Sequence, residues 1–270
     1  MCGISLINET KQEQIKLIQH RGPDETKIHK CKISENATYV MGFHRLSIND
    51  LSENGSQPFV ENDNAFVCNG EIYNHEILKQ KYNMNDVKGG SDCEILYKML
   101  VNRQEYRLTV NEICNELDGV FSFIHVEKDH LIVARDPIGI RPLYSGMNKD
   151  TGELEFASEI KVISHCVNVK HFPPGHYWTR SEGFVNYKPL SYPLSPKNDY
   201  DLKDINVLLT EAVNKRLMSD RPVGFFLSGG LDSSIIAAIG SKLMYPKKIK
   251  TFSIGVKGYE SPDLKAAQHV

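Results

Sequence analysis

The chain has 270 residues, 40% of them hydrophobic and 24% charged, with a formal net charge of −2, the balance of an ordinary globular protein long enough for two domains. So small a charge gives no reason to expect nucleic acid or another highly charged partner, and no apolar run approaches the ~18–20 residues that span a bilayer. The start lacks the basic segment and apolar stretch of a secretory signal, so a soluble, cytoplasmic protein without membrane contact is expected.

Cys2 directly follows the initiator Met. Removal of Met1 would place a thiol and a free α-amine on one residue, and an amine titrating near ~7.7–8.0 can take the proton of a thiol titrating near ~8.5. A cysteine buried in a first strand as a small hydrophobe is the plainer alternative. Short β-branched and period-two runs at 3–7, 38–48, 65–68, 119–126, 130–134 and 154–157 predict strands. Apolar spacings of three and four at 13–19, 72–81, 92–101 and 110–117 predict helices. Glu127-Lys128-Asp129 reads as a hairpin connection, and the mixture predicts a layered α+β domain with mostly antiparallel strands. The six cysteines contain no Cys-x-x-Cys pair and the ten histidines no His-x-x-x-His pair beside an acid. Neither a disulfide framework nor a metal ligated by them is expected.

Prolines 173, 174, 189, 193 and 196 punctuate the chain after Lys170, and 187–199 reads as extended. A first domain is therefore placed at 1–188, a linker at 189–200 and a second domain at 201–270. There the sequence predicts a helix over 202–218 ended by Arg221-Pro222, a buried strand at 223–227, a glycine-containing turn, a helix at 233–243 and a strand at 251–256. That order is a βαβ unit of a parallel sheet. Its turn, Ser228-Gly229-Gly230-Leu231-Asp232-Ser233-Ser234, lets backbone N–H groups and a helix N-terminus converge on an anion, with Ser hydroxyls as added donors and Asp232 suited to a magnesium ion. No Lys follows the glycines, so the Walker pattern is excluded; an ordinary βα turn with a Ser cap is the simpler reading.

The full string resembles the pyrophosphate-binding loop of ATP pyrophosphatases, which activate a carboxylate as an adenylate. Thr251-Phe252-Ser253-Ile254-Gly255-Val256 and Ser261-Pro262-Asp263-Leu264-Lys265-Ala266-Ala267 resemble the segments that follow it in asparagine synthetases. The first part is similar to a class II glutamine amidotransferase domain through the opening Met-Cys-Gly-Ile, His20-Arg21-Gly22-Pro23-Asp24, Gly42-Phe43-His44-Arg45-Leu46-Ser47-Ile48, Asn69-Gly70-Glu71-Ile72-Tyr73-Asn74 and Ser91-Asp92-Cys93-Glu94. The resemblance covers essentially the whole chain and is to the glutamine-hydrolysing asparagine synthetases. It implies an α+β N-terminal-nucleophile αββα sandwich followed by the beginning of an α/β parallel-sheet domain.

The resemblance also implies roles. Cys2 becomes the nucleophile, and the Asn69 side chain and Gly70 N–H become donors to the oxyanion. Arg45 suits the glutamine α-carboxylate and Asp92 its α-ammonium, with Leu46, Ser47, Ile48, Asn49 and Glu71 around the same substrate. Taken singly, Asn69-Gly70 reads as a type I′ turn, and Arg45 or Asp92 as a structural ion pair. Arg21, Asp24, Arg135 and Asp136 read as charges that shape loops. Leu227, Ser228, Gly229, Gly230, Asp232, Ser233 and Ile254 match positions around ATP. The implied substrates are glutamine, aspartate and ATP with Mg2+, without a prosthetic group, and ammonia released at Cys2 would meet a β-aspartyl adenylate to give asparagine.

A phosphoribosylamine- or glucosamine-forming amidotransferase is opposed by the serine-glycine loop, and a β-lactam synthetase by Cys2. A non-enzymatic, partner-binding remnant is a third alternative. The family's remaining ATP and aspartate contacts would lie beyond Val270, so the chain alone is expected to hydrolyse glutamine without forming asparagine. It would then be a fragment, a truncated remnant, or one half of a split protein; the expected partners are a second copy, as a homodimer, or its missing C-terminal half.

Overall fold

The computed structural model of the chain describes residues 1–34, 37–128, 130–189, 201–259 and 261–270. The Asp129 end of the expected hairpin and nearly all of the linker placed at 189–200 lie outside the described residues. By its contacts the chain divides into two compact units, Met1–Tyr192 and Pro193–Val270. No described helix is long and apolar enough to cross a membrane.

The first unit contains strands β1 (Gly3–Asn8), β2 (Glu25–Ser34), β3 (Ala37–Arg45), β4 (Phe59–Glu61), β5 (Asn64–Ile72), β6 (Gly119–Glu127), β7 (His130–Arg135), β8 (Tyr144–Met147), β9 (Leu154–Ala157), β10 (Val167–His171), β11 (His176–Thr179) and β12 (Gly183–Asn186). Helices α1 (His75–Lys81), α2 (Asp92–Val101) and α3 (Val110–Glu116) lie in sequence between β5 and β6. One antiparallel sheet has the order β10-β8-β9-β1-β3-β2 and the other β12-β11-β7-β6-β5-β4.

Side-chain alternation along the strands sorts the core into layers. Ile4, Leu6, Met41 and Phe43 of the first sheet meet Val67, Ile124, Val126 and Val133 of the second. The alternate residues Phe66, Cys68, Phe121 and Phe123 turn outward onto Leu96, Met99 and Leu100 of α2; burying each such leucine contributes about 1.5–3 kcal/mol. On the far side, Ile7 and Val40 pack under Ile15 and Ile18 of a 3₁₀ segment, Glu9–Arg21, and under Val162 and Ile163 of another, Ile160–Ile163. The layers are helix, sheet, sheet, helix: an αββα sandwich.

Several elements differ from the expected ones for local reasons. The helix expected over 13–19 is a longer 3₁₀ segment interrupted by non-helical backbone at Lys11 and Ile18. The helix expected from Ile72 starts at His75, because Ile72 still pairs with Gly119 in the β5–β6 ladder. β2 was not expected: Glu-Thr-Lys-Ile-His-Lys-Cys-Lys carries the lysines of a sheet edge, and an edge strand needs few apolar positions.

The second unit contains α4 (Leu202–Lys215), β13 (Gly224–Phe226), α5 (Leu231–Met244), β14 (Lys250–Phe252) and α6 (Pro262–His269). The two strands pair in parallel, Gly224 with Lys250 and Phe226 with Phe252, so β13, α5 and β14 form the expected βαβ unit. Phe225 and Leu227 are buried with Ala237 and Ile239 of α5.

Candidate active site

Cys2 immediately precedes β1, whose register pairs Gly3 with His44 near the end of β3. Its sulfur therefore meets the turn after β3, where the Leu46 N–H donates to Sγ at 3.4 Å and the thiol donates to the Leu46 carbonyl at 3.7 Å. Arg21 Nε donates to the Cys2 carbonyl at 3.0 Å, and Arg21 Nη1 pairs with Glu159 at 3.2 Å. Asp24 accepts the Ser47 N–H at 2.8 Å, while its own N–H donates to the Arg45 carbonyl at 3.0 Å. The turn at 20–24 thus braces both the nucleophile and the segment at 46–49. Burial pushes the Cys2 thiol up, opposed by the Leu46 N–H, and burial lowers the Met1 α-amine. Burial thus favours the thiol over the thiolate before attack, the starting state from which a base takes its proton as attack occurs.

β5 supplies the facing wall. Gly70 lies opposite Phe121 of β6, flanked by Asn69 opposite Ser122 and Glu71 opposite Val120. The N–H groups of Cys68 and Ile72 point to the other edge, where Gln57 Oε1 accepts the first and Asp92 Oδ2 the second, each at 2.6 Å. Strand alternation sends the Gly70 N–H to that same edge, between the two and into the cleft. Asn69 points the other way, with Val67, into the layer against which Cys2 packs. It is 1% exposed, and its Nδ2 has no hydrogen-bond partner among the described residues. Leaving such a donor unsatisfied costs about 1–3 kcal/mol, a cost relieved by an acceptor that arrives with a substrate. The pair is strand and not turn, so the type I′ reading is replaced by one in which Gly70 lines the cleft and Asn69, on the other side of the strand, does not.

Asp92 opens α2 and is buried, and burial raises its carboxyl. Burial first, then the Asp92 charge, push Glu71 up to about 8. The Asn49 amide bridges the pair, 2.5 Å from Glu71 and 3.4 Å from Asp92, and Arg141 lies 3.8 Å from Glu71. Asp92, buried, and Glu71, half-buried, thus stand side by side at the cleft. Arg45 is also buried, but its guanidinium donates to the Ser52 carbonyl at 2.9 Å and to the Asp50 carbonyl. It shapes the segment at 50–52 and pairs with Glu25 at 3.9 Å.

One cleft of about 40 Å³ therefore gathers Cys2, Arg45, Leu46, Ser47, Ile48, Asn49, Gly70, Glu71 and Asp92, together with Gln57, Cys68, Ser91 and Cys93. The sequence reading missed Gln57 and the Asn49 side chain, since a side chain that caps a distant backbone N–H leaves no periodic signal. A larger hollow of about 390 Å³ beside Lys30, Cys31 and Asn64 has no comparable chemistry: burial pushes the Cys31 thiol up to about 12.

In the second unit, Gly229 has φ +81°, where an added Cβ would also lie 2.4 Å from that of Ala266. Ser233 Oγ lies 3.0 Å from Ser228 Oγ and donates to the Gly230 carbonyl at 3.2 Å. Gly230 caps α5 without a side-chain hydrogen bond, so the first N–H groups of the helix are not covered by its cap. Asp232 stands in the first turn, and Ile254, beyond β14, is 93% exposed. A lone carboxylate among hydroxyls fits magnesium, which takes one or two carboxylates and fills its shell from phosphate and water.

A glutamine amidotransferase domain profile matches residues 1–173, and an asparagine synthase profile matches residues 204–270. Along its full length the chain is 37% identical to a probable glutamine-hydrolysing asparagine synthetase of Acanthamoeba polyphaga mimivirus, covering 54% of that protein. It is also 37% identical to the glutamine-hydrolysing asparagine synthetase of Zea mays, covering 48% of it. The chain thus spans about half the length of the curated relatives it matches. Among solved structures, a glutamine phosphoribosylpyrophosphate amidotransferase from B. subtilis superposes with TM-score 0.54 at 18% identity, covering 100% of this chain and 70% of the other. That likeness is one of fold.

Proposed function

We propose, because the chain belongs to the glutamine amidotransferase domain family, that its first unit hydrolyses glutamine at Cys2 and that its second is the ATP-binding start of an asparagine-forming half. The observation that carries the first reading is the pair of donors on β5: a buried Asn69 amide without a partner and a Gly70 N–H set between two engaged ones. Once Met1 is removed, the Cys2 amine takes the thiol proton and the sulfur attacks the carboxamide carbon. Asn69 and Gly70 stabilise the oxyanion, where each donor contributes about 2.7–4 kcal/mol. The proton then passes to the leaving nitrogen, ammonia departs, and water cleaves the γ-glutamyl thioester to glutamate.

Glu71 and Asp92 hold the α-ammonium, while Arg45 and the segment at 46–49 receive the α-carboxylate. In the second unit, the serine-glycine loop and the N-terminus of α5 receive ATP phosphates, with Leu227 and Ile254 beside the nucleotide. Magnesium bound with ATP neutralises phosphate charge, and Asp232 is the carboxylate that would hold it. The likeness to asparagine synthetases supports aspartate as the acceptor of the ammonia.

Cys2→Ala tests the nucleophile. Glutamate release from glutamine is expected to vanish while the far-ultraviolet circular dichroism spectrum and glutamine binding persist; undiminished release overturns the assignment. Mass spectrometry of the mature N-terminus is expected to show Cys2 as the first residue.

A further inference from the structure

Glu155 is a fully buried carboxylate, 0% exposed, on β9. Its strand neighbours Phe156 and Ala157 belong to the inter-sheet core and the outer core respectively, so alternation places Glu155 on the outer face, beneath the 3₁₀ segment Glu9–Arg21. His165 Nε2 lies 2.8 Å from its Oε2, and Cys166 Sγ lies 3.5 Å from the same oxygen. The three possible ligand atoms all fall within 4.8 Å of one another. None of these residues lines the cleft at Cys2.

The carboxylate and the imidazole are each oriented from behind. Glu155 Oε1 accepts the Asn8 N–H at 3.1 Å and the Asn148 amide at 2.6 Å, and His165 Nδ1 lies 3.0 Å from Gln14 Oε1. With Nδ1 donating to that oxygen, a neutral ring presents its Nε2 lone pair to a carboxylate oxygen 2.8 Å away. Two acceptors so close require a cation between them, either a proton or a metal. A buried carboxylate, an imidazole fixed through its other nitrogen and a thiol form the donor set of a zinc-type ion, with outer hydrogen bonds of the usual kind.

We propose that Glu155, His165 and Cys166 bind one transition-metal dication of the zinc class, tying β9 and the segment before β10 to the 3₁₀ layer. Zinc bond lengths of ~2.0–2.3 Å place tetrahedral ligand atoms roughly 3.3–3.7 Å apart; the two separations from the Glu155 oxygen, 2.8 and 3.5 Å, lie close to that range, and the third is within 4.8 Å. Carboxylate and thiolate neutralise the dication. Binding displaces the thiol proton, and a second proton where His165 is an imidazolium. The His165 side chain, 15% exposed, gives the fourth position a route to water.

The test uses the full chain carrying Cys2→Ala, so that a terminal thiol and amine cannot chelate the probe, treated with chelator and titrated with Zn2+ and with Co2+. One equivalent of Zn2+ is expected to bind with proton release, and Co2+ is expected to give a thiolate-to-metal charge-transfer band. Adding Cys166→Ser should remove that band, His165→Gln should weaken binding at least tenfold, and Cys68→Ser, at the cleft, should change neither. Failure to bind either ion, a Co2+ complex without the thiolate band, or binding removed by Cys68→Ser and untouched by Cys166→Ser overturns the proposal. The unmutated triad reports through the band itself, so the test stands even where one variant folds poorly.

Discussion

Asp92 is buried and Glu71 is half-buried beside it, and the response of the pair to pH follows from that placement. Burial and then Asp92 push the Glu71 carboxyl up to about 8, against ~4.3 for a free glutamate. Between those values the native state holds a proton that the unfolded chain has lost. The stability this confers is complete below the unfolded value and is lost as pH rises through about 8. An α-ammonium in the cleft takes the place of that proton. For the Cys2→Ala protein, glutamine affinity is therefore expected to rise as pH goes from about 7 to about 8, below the range where the ligand's own α-ammonium loses its proton. Its melting temperature without glutamine should fall over the same window, and bound glutamine should hold that fall back. Calorimetric titration across the window checks the first point, and Glu71→Gln should flatten the curve; an affinity independent of pH in the unmutated cleft contradicts the receptor role.

At the scale of elements, Gly70 shows how a ladder sets chemistry. A Cβ there would lie 2.5 Å from the Val120 carbonyl and 2.7 Å from Phe121 Cα, both backbone atoms of β6. Gly70→Ala is thus expected to push β5 away from β6, costing about 1–3 kcal/mol of stability as an overpacking change. With the oxyanion role proposed for its N–H, the change should also lower kcat more than it raises KM. Urea unfolding and steady-state kinetics on one variant read both effects, and wild-type kcat with reduced stability would remove the donor role. The same strand shows what was legible in sequence. Asn69-Gly70 stood out as a motif, yet considered singly it read as a turn, because the pairing of 64–72 with 119–127 is a non-local fact. α2 was legible to the residue, since its apolar spacing reports its own burial. β2, β4, β8 and β10 to β12 were not, because short or edge strands carry mixed side chains whose partners alone make them strands.

At the scale of the whole molecule, the two units differ in how they bury what they contain. In the first, Phe121, Phe123 and Ile124 of β6 are fully buried, since that strand has a sheet on one side and α2 on the other. In the second, Phe226 on β13 is 89% exposed and β14 is exposed along its length, although parallel strands are normally covered on both faces. Local opening free energy follows buried apolar contact. Amides of β5 and β6 are therefore expected to exchange with deuterium only at the slowest, global rate of the chain. Those of β13 and β14 should exchange faster by orders of magnitude. Ligands should act where their groups lie: glutamine, in the Cys2→Ala protein, should slow exchange at Gly70 and along 46–49, and ATP with Mg2+ should slow it along 228–234. Protection of β13 and β14 equal to that of β6 before any ligand is added would show that exposure does not govern their stability. Protection by ATP spread over 46–49, with none along 228–234, would remove the phosphate loop from its proposed role.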